Sequence, residues 1–294
     1  MRSRGLWMCV GSSVLFGLMA FATKRAAGVW TGPQVALARF VGSVLCVAAI
    51  VAVQRKLPPL GNWRPVVLRG VFGGFAVLLY FLCIEHIGVG LATLLNFTSP
   101  VFTALLSRLF LGERLRKQTL AGLRVALTGV TLVLLGGRGI EHPAALGWLA
   151  VGLGSAACSG VAVTAVRAAR RTDTALTVFA SFSGFGVLCT LGPALASPFA
   201  VPGPAMWGYL VVIVLFSVVA QLLMTSALRW VDAPTSGVIA QITVVITLVL
   251  GVLLLGEALT ALSAAGSALT IIGVVLAVYT RAGDGAGATP VATT

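Results

Sequence analysis

Charge is what this sequence has least of. Charged residues make up 9% of its 294 positions, against about 25% in soluble domains. A soluble fold of this length could not dress its surface with so few charges, so lipid must solvate most of it. Acidic residues are scarcest. There are seven, and none lies in the middle of an apolar run. Glu85, Glu113, Asp232 and Glu257 sit at the ends of runs, Glu141 and Asp173 in linkers, and Asp284 in the tail. A proton-coupled exporter of organic cations needs a membrane carboxylate that exchanges a proton for the cation. That mechanism is disfavoured here. No Gly-x-x-x-x-Gly-Lys-Ser/Thr loop occurs, which excludes direct ATP drive within this chain. No Ser-His, Asp-Asp or His-Glu-x-x-His arrangement suits an intramembrane protease. The chain therefore reads as a non-enzyme with no cofactor. Its two histidines, His86 and His142, lack metal-ligand spacing. The five cysteines all lie in apolar runs without a CxxC pair, and read as small buried hydrophobes.

Basic residues are present, and their placement matters more than their number. The net charge of +13 invites a nucleic-acid reading, but no aromatic-basic patch or zinc spacing accompanies it. The 17 arginines and three lysines fall mainly in short clusters between apolar runs, as cytoplasmic loops require. Apolar runs long enough to span hydrocarbon lie near 6–23, 33–53, 66–84, 88–111, 118–137, 145–166, 174–196, 207–228, 233–255 and 261–280. Arg2 and Arg4 before the first run resemble a signal peptide. The further runs behind it favour an uncleaved membrane helix instead. With the N-terminus inside, 15 basic residues, Arg69 among them, fall on the cytoplasmic side and three outside. This predicts a multi-pass protein of the cytoplasmic membrane with both termini cytoplasmic. The polar tail, 282–294, is expected to be disordered.

The sequence repeats itself. Leu111-Gly112-Glu113 recurs as Leu255-Gly256-Glu257, 144 residues on. Thr103 matches Thr247, Gly122 matches Gly266 and Gly129 matches Gly273 at that offset. Near the start of each half the offset is 143, pairing Ser12 with Ser155 and Gly17 with Gly160. An offset spanning five helices puts the copies in opposite orientations. The first Leu-Gly-Glu turn is followed by Arg114, Arg116 and Lys117, and the second by no basic residue. The fold class expected is all-α integral membrane: ten transmembrane helices as two inverted five-helix repeats, 1–140 and 141–281. That architecture belongs to transporters whose solute site lies between the repeats.

On these residues the chain resembles the drug/metabolite transporter superfamily, EamA-like branch. The matching features are Phe16-Gly17 with Lys24 eight residues after the aromatic, Arg39-Phe40, and both Leu-Gly-Glu turns with their paired glycines. Two features depart from the family pattern. Phe16 stands where the family usually has Trp, and Ile84-Glu85-His86 where it usually has an Ala-Leu pair. The resemblance implies export of a small solute.

Several residues are candidates for solute contact. Arg39 lies about six residues into its run. It either holds an anionic group by a bidentate contact, serves as a hydrogen-bond hub, or snorkels to the interface. Lys24 and Arg124 pose the same question nearer the surface. Asn96, Ser99, Thr103 and Ser107 form one helical stripe, with Thr243 and Thr247 as its echo. Such stripes line cavities or let helices pack closely. Tyr80, Gln221 and Gln241 are polar groups within runs that need partners in lipid. Pro100 cannot donate to the carbonyl of Asn96, which predicts a kink or hinge. Glu113 and Glu257 are expected to be structural, each capping the helix that follows its turn. Gly122, Gly129, Gly266 and Gly273 predict a packing contact between helices five and ten. The reading is an alternating-access carrier, an exporter of an amino acid or related zwitterionic or anionic solute. A lipid-linked solute flippase or multidrug efflux carrier is the alternative. Its partners are the solute and the bilayer, not nucleic acid, and it acts as a monomer or homodimer.

Overall fold

Hydrocarbon offers a backbone no hydrogen-bond partner, so each apolar run must close its own ladder as a helix. The computed structural model describes residues 2–55, 59–103, 117–136, 143–170, 172–227, 230, 233–257 and 259–282, and no strand occurs among them. The helices are α1 (Arg2–Ala26), α2 (Gly32–Gln54), α3 (Trp63–Ile87), α4 (Val89–Asn96) and α5 (Lys117–Gly136). They continue as α6 (Pro143–Ala169), α7 (Ala175–Leu195), α8 (Pro204–Ala227), α9 (Ala233–Leu255) and α10 (Ala261–Ala282). Among the described residues α1, α2, α3, α6, α7 and α8 are long and apolar enough to cross a membrane. Apolar side chains such as Leu45, Leu188, Val211 and Leu253 point outward, as a lipid-facing surface demands. The protein is a multi-pass membrane protein.

Packing joins the early helices to the late ones. α5 lies against α10, α2 against α7, and α4 against α9. All three pairs run antiparallel. In the first, Gly129 abuts Thr270 while Ala126 abuts Gly273. In the second, Gln34 reaches Ala194 while Phe40 packs edge-on against Phe182. In the third, Gly90 faces Leu248 while Gln241 reaches Phe97. α3 packs on α6 and α7, and α1 on α8 and α9. The Ser12 hydroxyl donates to the carbonyl of Ala220 at 2.8 Å, joining α1 to α8. The Ser155 hydroxyl donates to that of Ala76, also at 2.8 Å, joining α6 to α3.

The α5–α10 contact is the closest. A Cβ on Gly129 would strike the backbone of Thr270 and Gly266, and one on Gly273 that of Ala126 and Gly122. Small residues let backbones meet where no hydrophobic force drives helices together.

The fourth apolar run differs most from its expected extent. α4 ends at Asn96, the chain turns at Phe97–Thr98, and helix resumes from residue 99. The N–H of Thr98 bonds the carbonyl of Leu95 and that of Val101 bonds Thr98, both tighter than α-helical spacing. Residues 104–116, with Ser107 and the Glu113 turn, lie outside the described residues. So do His142 and the tail from 283.

Candidate functional site

Arg39 leaves α2 two turns below Thr31 and is 4% exposed. Its guanidinium lies 5.3 Å from the ring centre of Phe40, 5.7 Å from that of Phe81 and 5.6 Å from that of Phe182. Its Nε is buried without a hydrogen-bond partner. Arg69 comes up from the other end, two turns into α3, and is 8% exposed. It stands 4.0 Å over the same Phe182 ring. Gly73, one turn further along α3, leaves room for it: a Cβ there would strike the Arg69 guanidinium. Two arginines from different helices thus meet over one ring of α7.

Neither guanidinium has a carboxylate partner among the described residues. The three described carboxylates are engaged elsewhere. Glu85 accepts from the N–H of Gly32. Asp173 accepts from Gly61 and Asn62. Glu257 accepts from Val89 and Gly90. Aromatic faces contribute about 0.5–2 kcal/mol to each cation. Leaving a buried charge unpaired costs about 3–5 kcal/mol. The rings do not offset that, so the pair has unused capacity for an anion.

Tyr80 closes one side. Its hydroxyl is 2.7 Å from Thr93 Oγ1, which itself donates to the carbonyl of Val89, so Tyr80 is the donor to Thr93. This ties the α3 wall beside Arg39 to α4.

The other sequence candidates sit apart from Arg39. Asn96 donates to the hydroxyls of Ser155 and Ser159 on α6. Gln241, from α9, approaches the Phe97 carbonyl at the break, 3.5 Å away. Ser99 is half-buried, and its carbonyl accepts from Thr103. Pro100 follows the break. Thr243 donates to the carbonyl of Ser13 on α1, and Gln221 lies 3.5 Å from Thr225 on its own helix. Among the described residues no direct contact joins Gln221 or Thr243 to Arg39.

Charges at one end of the bundle cap helices. Lys24 donates to the last carbonyls of α3, Ile84 and Glu85, at 2.9 Å each. Arg25 donates to Leu254 on α9. Both complete helix C-termini. Arg124 is exposed on α5. Glu257 corrects one expectation. It caps α4, at 2.6 Å from Val89 N and 3.1 Å from Gly90 N. The helix after it, α10, is capped by Thr260, which accepts from Ser263 N. Gly256, in the left-handed region at φ 67°, turns the chain so that Glu257 points back to α4.

Arg69 is the residue that loop-charge reasoning misplaces. Counted with the cytoplasmic charges, it is instead buried inside α3. Its place within the 66–84 run, one turn before a glycine, is the sign that marks it.

Known proteins resemble this chain along its length. The family model described as "EamA-like transporter family" matches residues 3–135 and again 146–279. The "Pseudopaline exporter CntI" of Pseudomonas aeruginosa (strain UCBPP-PA14) is 27% identical over 285 residues, covering 95% of this chain and 97% of that protein. The "Uncharacterized transporter YdfC" of Bacillus subtilis is 34% identical over 142 residues, 46% of each chain. A solved crystal structure superposes with a TM-score of 0.67 at 22% identity, covering 97% of this chain and all of the other. That likeness concerns the fold.

Proposed function

Because the chain belongs to the EamA-like transporter family and is a membrane transporter of that type, we propose that it is a secondary carrier exporting a small zwitterionic or anionic metabolite. One observation carries the sign of the solute: Arg39 is buried with no protein anion beside it among the described residues. Cation carriage is not supported, because each described carboxylate is held by backbone N–H groups.

The mechanism proposed is alternating access between two inverted repeats, 1–140 and 141–281, in ten crossings. The two matches of one family model support the duplication. The packing supports the inversion. Exchanging helices one to five with six to ten maps the α1–α8 contact onto α6–α3, and α1–α9 onto α6–α4. The α2–α7, α4–α9 and α5–α10 pairs map onto themselves, and an antiparallel self-paired helix is what an inverted repeat requires. Outward direction rests on the relative whose name makes it an exporter.

The test is an uptake and efflux screen in proteoliposomes against amino acids, organic acids and nucleoside-type metabolites. Zwitterions or anions should move, and Arg39→Gln, folded by size-exclusion behaviour, should abolish the movement. Arg39→Lys keeps the charge but not the planar fork, and should retain part of it. Preference for organic cations, or full transport by Arg39→Gln, defeats the reading.

A further inference from the structure

We propose that Arg39 and Arg69 form one binding site for a solute bearing two carboxylates, one for each guanidinium, with its carbon spacer against the ring of Phe182. The inference deepens the carrier reading above and rests on it.

Two positive groups within the bundle repel each other unless something negative stands between or beside them. Both guanidiniums are more than nine-tenths buried, and both face Phe182, at 5.6 Å and 4.0 Å from its centre. The protein supplies no carboxylate to them among the described residues, and their contacts there are aromatic rings. A monoanion neutralises one arginine and leaves the other unpaired. A dicarboxylate neutralises both, each in the planar geometry a guanidinium favours. The rings of Phe40, Phe81 and Phe182, 5.3, 5.7 and 5.6 Å from the Arg39 guanidinium, bring no acceptor that competes with a carboxylate.

The geometry also sets which residues discriminate. Arg39 belongs to α2 and Arg69 to α3, and both helices pack on α7. A solute bridging them ties three helices together. The two guanidiniums approach from opposite ends of the bundle, since α2 and α3 run antiparallel around the same ring. Arg39 neighbours the Tyr80 wall, and Arg69 the Gly73 notch. Removing Arg69 should therefore erase the preference for a second carboxylate.

The full chain in nanodiscs, in chloride-free buffer, is titrated with radiolabelled glutarate and, as the monocarboxylate of similar size, butyrate. Glutarate should bind at least about tenfold more tightly than butyrate, since a buried charge left without its partner forfeits that much or more. Arg69→Gln should collapse the ratio of glutarate to butyrate affinity to about one. Arg69→Lys, which keeps the charge, should restore part of the difference. Equal binding of the two probes to the parent protein overturns the proposal, as does unaltered selectivity in a folded Arg69→Gln. Should Arg69→Gln fail to fold, the parent's glutarate-to-butyrate ratio and the Arg69→Lys variant decide alone. Selective glutarate binding without movement of any solute in proteoliposomes leaves this site standing and removes the carrier reading. Transport of a zwitterionic or monoanionic solute without selective glutarate binding does the reverse.

Discussion

Asp173 shows how much one carboxylate can hold. It lies between α6 and α7 and fixes the segment before α3, accepting from Gly61 N at 2.7 Å and Asn62 N at 3.2 Å. Thr172 Oγ1 donates to it at 2.6 Å. Burial pushes its carboxyl up, and the three hydrogen bonds outweigh burial and hold it below the usual carboxylate range. A lowered folded value means stability that is present above the unfolded pKa of about 3.9. That stability is lost as pH falls through the folded value. Asp173→Asn should therefore lower the melting temperature in detergent at pH 7, and the gap from the parent should narrow towards pH 3. Size-exclusion melting curves at the two pH values check this, and a gap that does not change with pH shows a purely steric role. At this scale the sequence is only partly readable. Residue type and depth single out Arg39. They do not reveal that Glu257 caps α4 or that Arg69 meets Arg39, because those partners lie 168 and 30 positions away and only packing joins them.

The helices themselves are the legible level. Hydropathy marks the hydrocarbon slab, and the helices overrun it because their backbone ladders continue into the interface. The run read as 66–84 becomes Trp63–Ile87, and that read as 145–166 becomes Pro143–Ala169. The exception is the fourth run, which hydropathy reads as one span and Pro100 marks for a kink; the chain breaks there, at Phe97–Thr98. Mean hydropathy carries through Asn96, Thr98 and Ser99 without interruption, whereas Pro100 withdraws a donor from the ladder. The turn at Phe97–Thr98 exposes a carbonyl that Gln241 approaches from α9. We take the break as a hinge for alternating access. In Pro100→Ala, the new N–H can bond the Asn96 carbonyl and straighten α4. The variant should keep or gain thermal stability, and its transport rate per folded molecule should fall. An unchanged rate means that the break is tolerated rather than used.

Across the whole molecule the connections sort into two ends. At one end, Lys24, Arg25 and Glu85 cap the ends of α3, α9 and α2. Gln34 and Trp30 reach the segment after α7, at Ser197 and Ala200. Glu257 caps α4 from the turn after α9. At the other end, Asp173 holds Gly61 and Thr177 donates to the carbonyl of Pro59. This grouping agrees with successive helices crossing in alternate directions. Lys24 and Arg25 are consumed as caps at the first end, while Arg55, Arg64 and Arg170 stand near the second. With Arg69 buried inside α3, the loop balance across the full sequence is 14 basic residues on the second side against three on the first, and on that balance we propose that the second end is cytoplasmic. On this proposal both termini are cytoplasmic and the turn after α9 is external. Two exposed positions separate the possibilities without disturbing a cap: Leu259, after that turn, and Arg55, after α2. Each is replaced by Cys in a chain whose five native cysteines have been removed, and intact cells are treated with an impermeant thiol reagent. Leu259→Cys should react at once, and Arg55→Cys only after the cells are permeabilised. The opposite pattern reverses the orientation, and with it the side from which Arg39 and Arg69 are each approached. Labelling of both positions in intact cells breaks the alternation on which the inverted repeat depends.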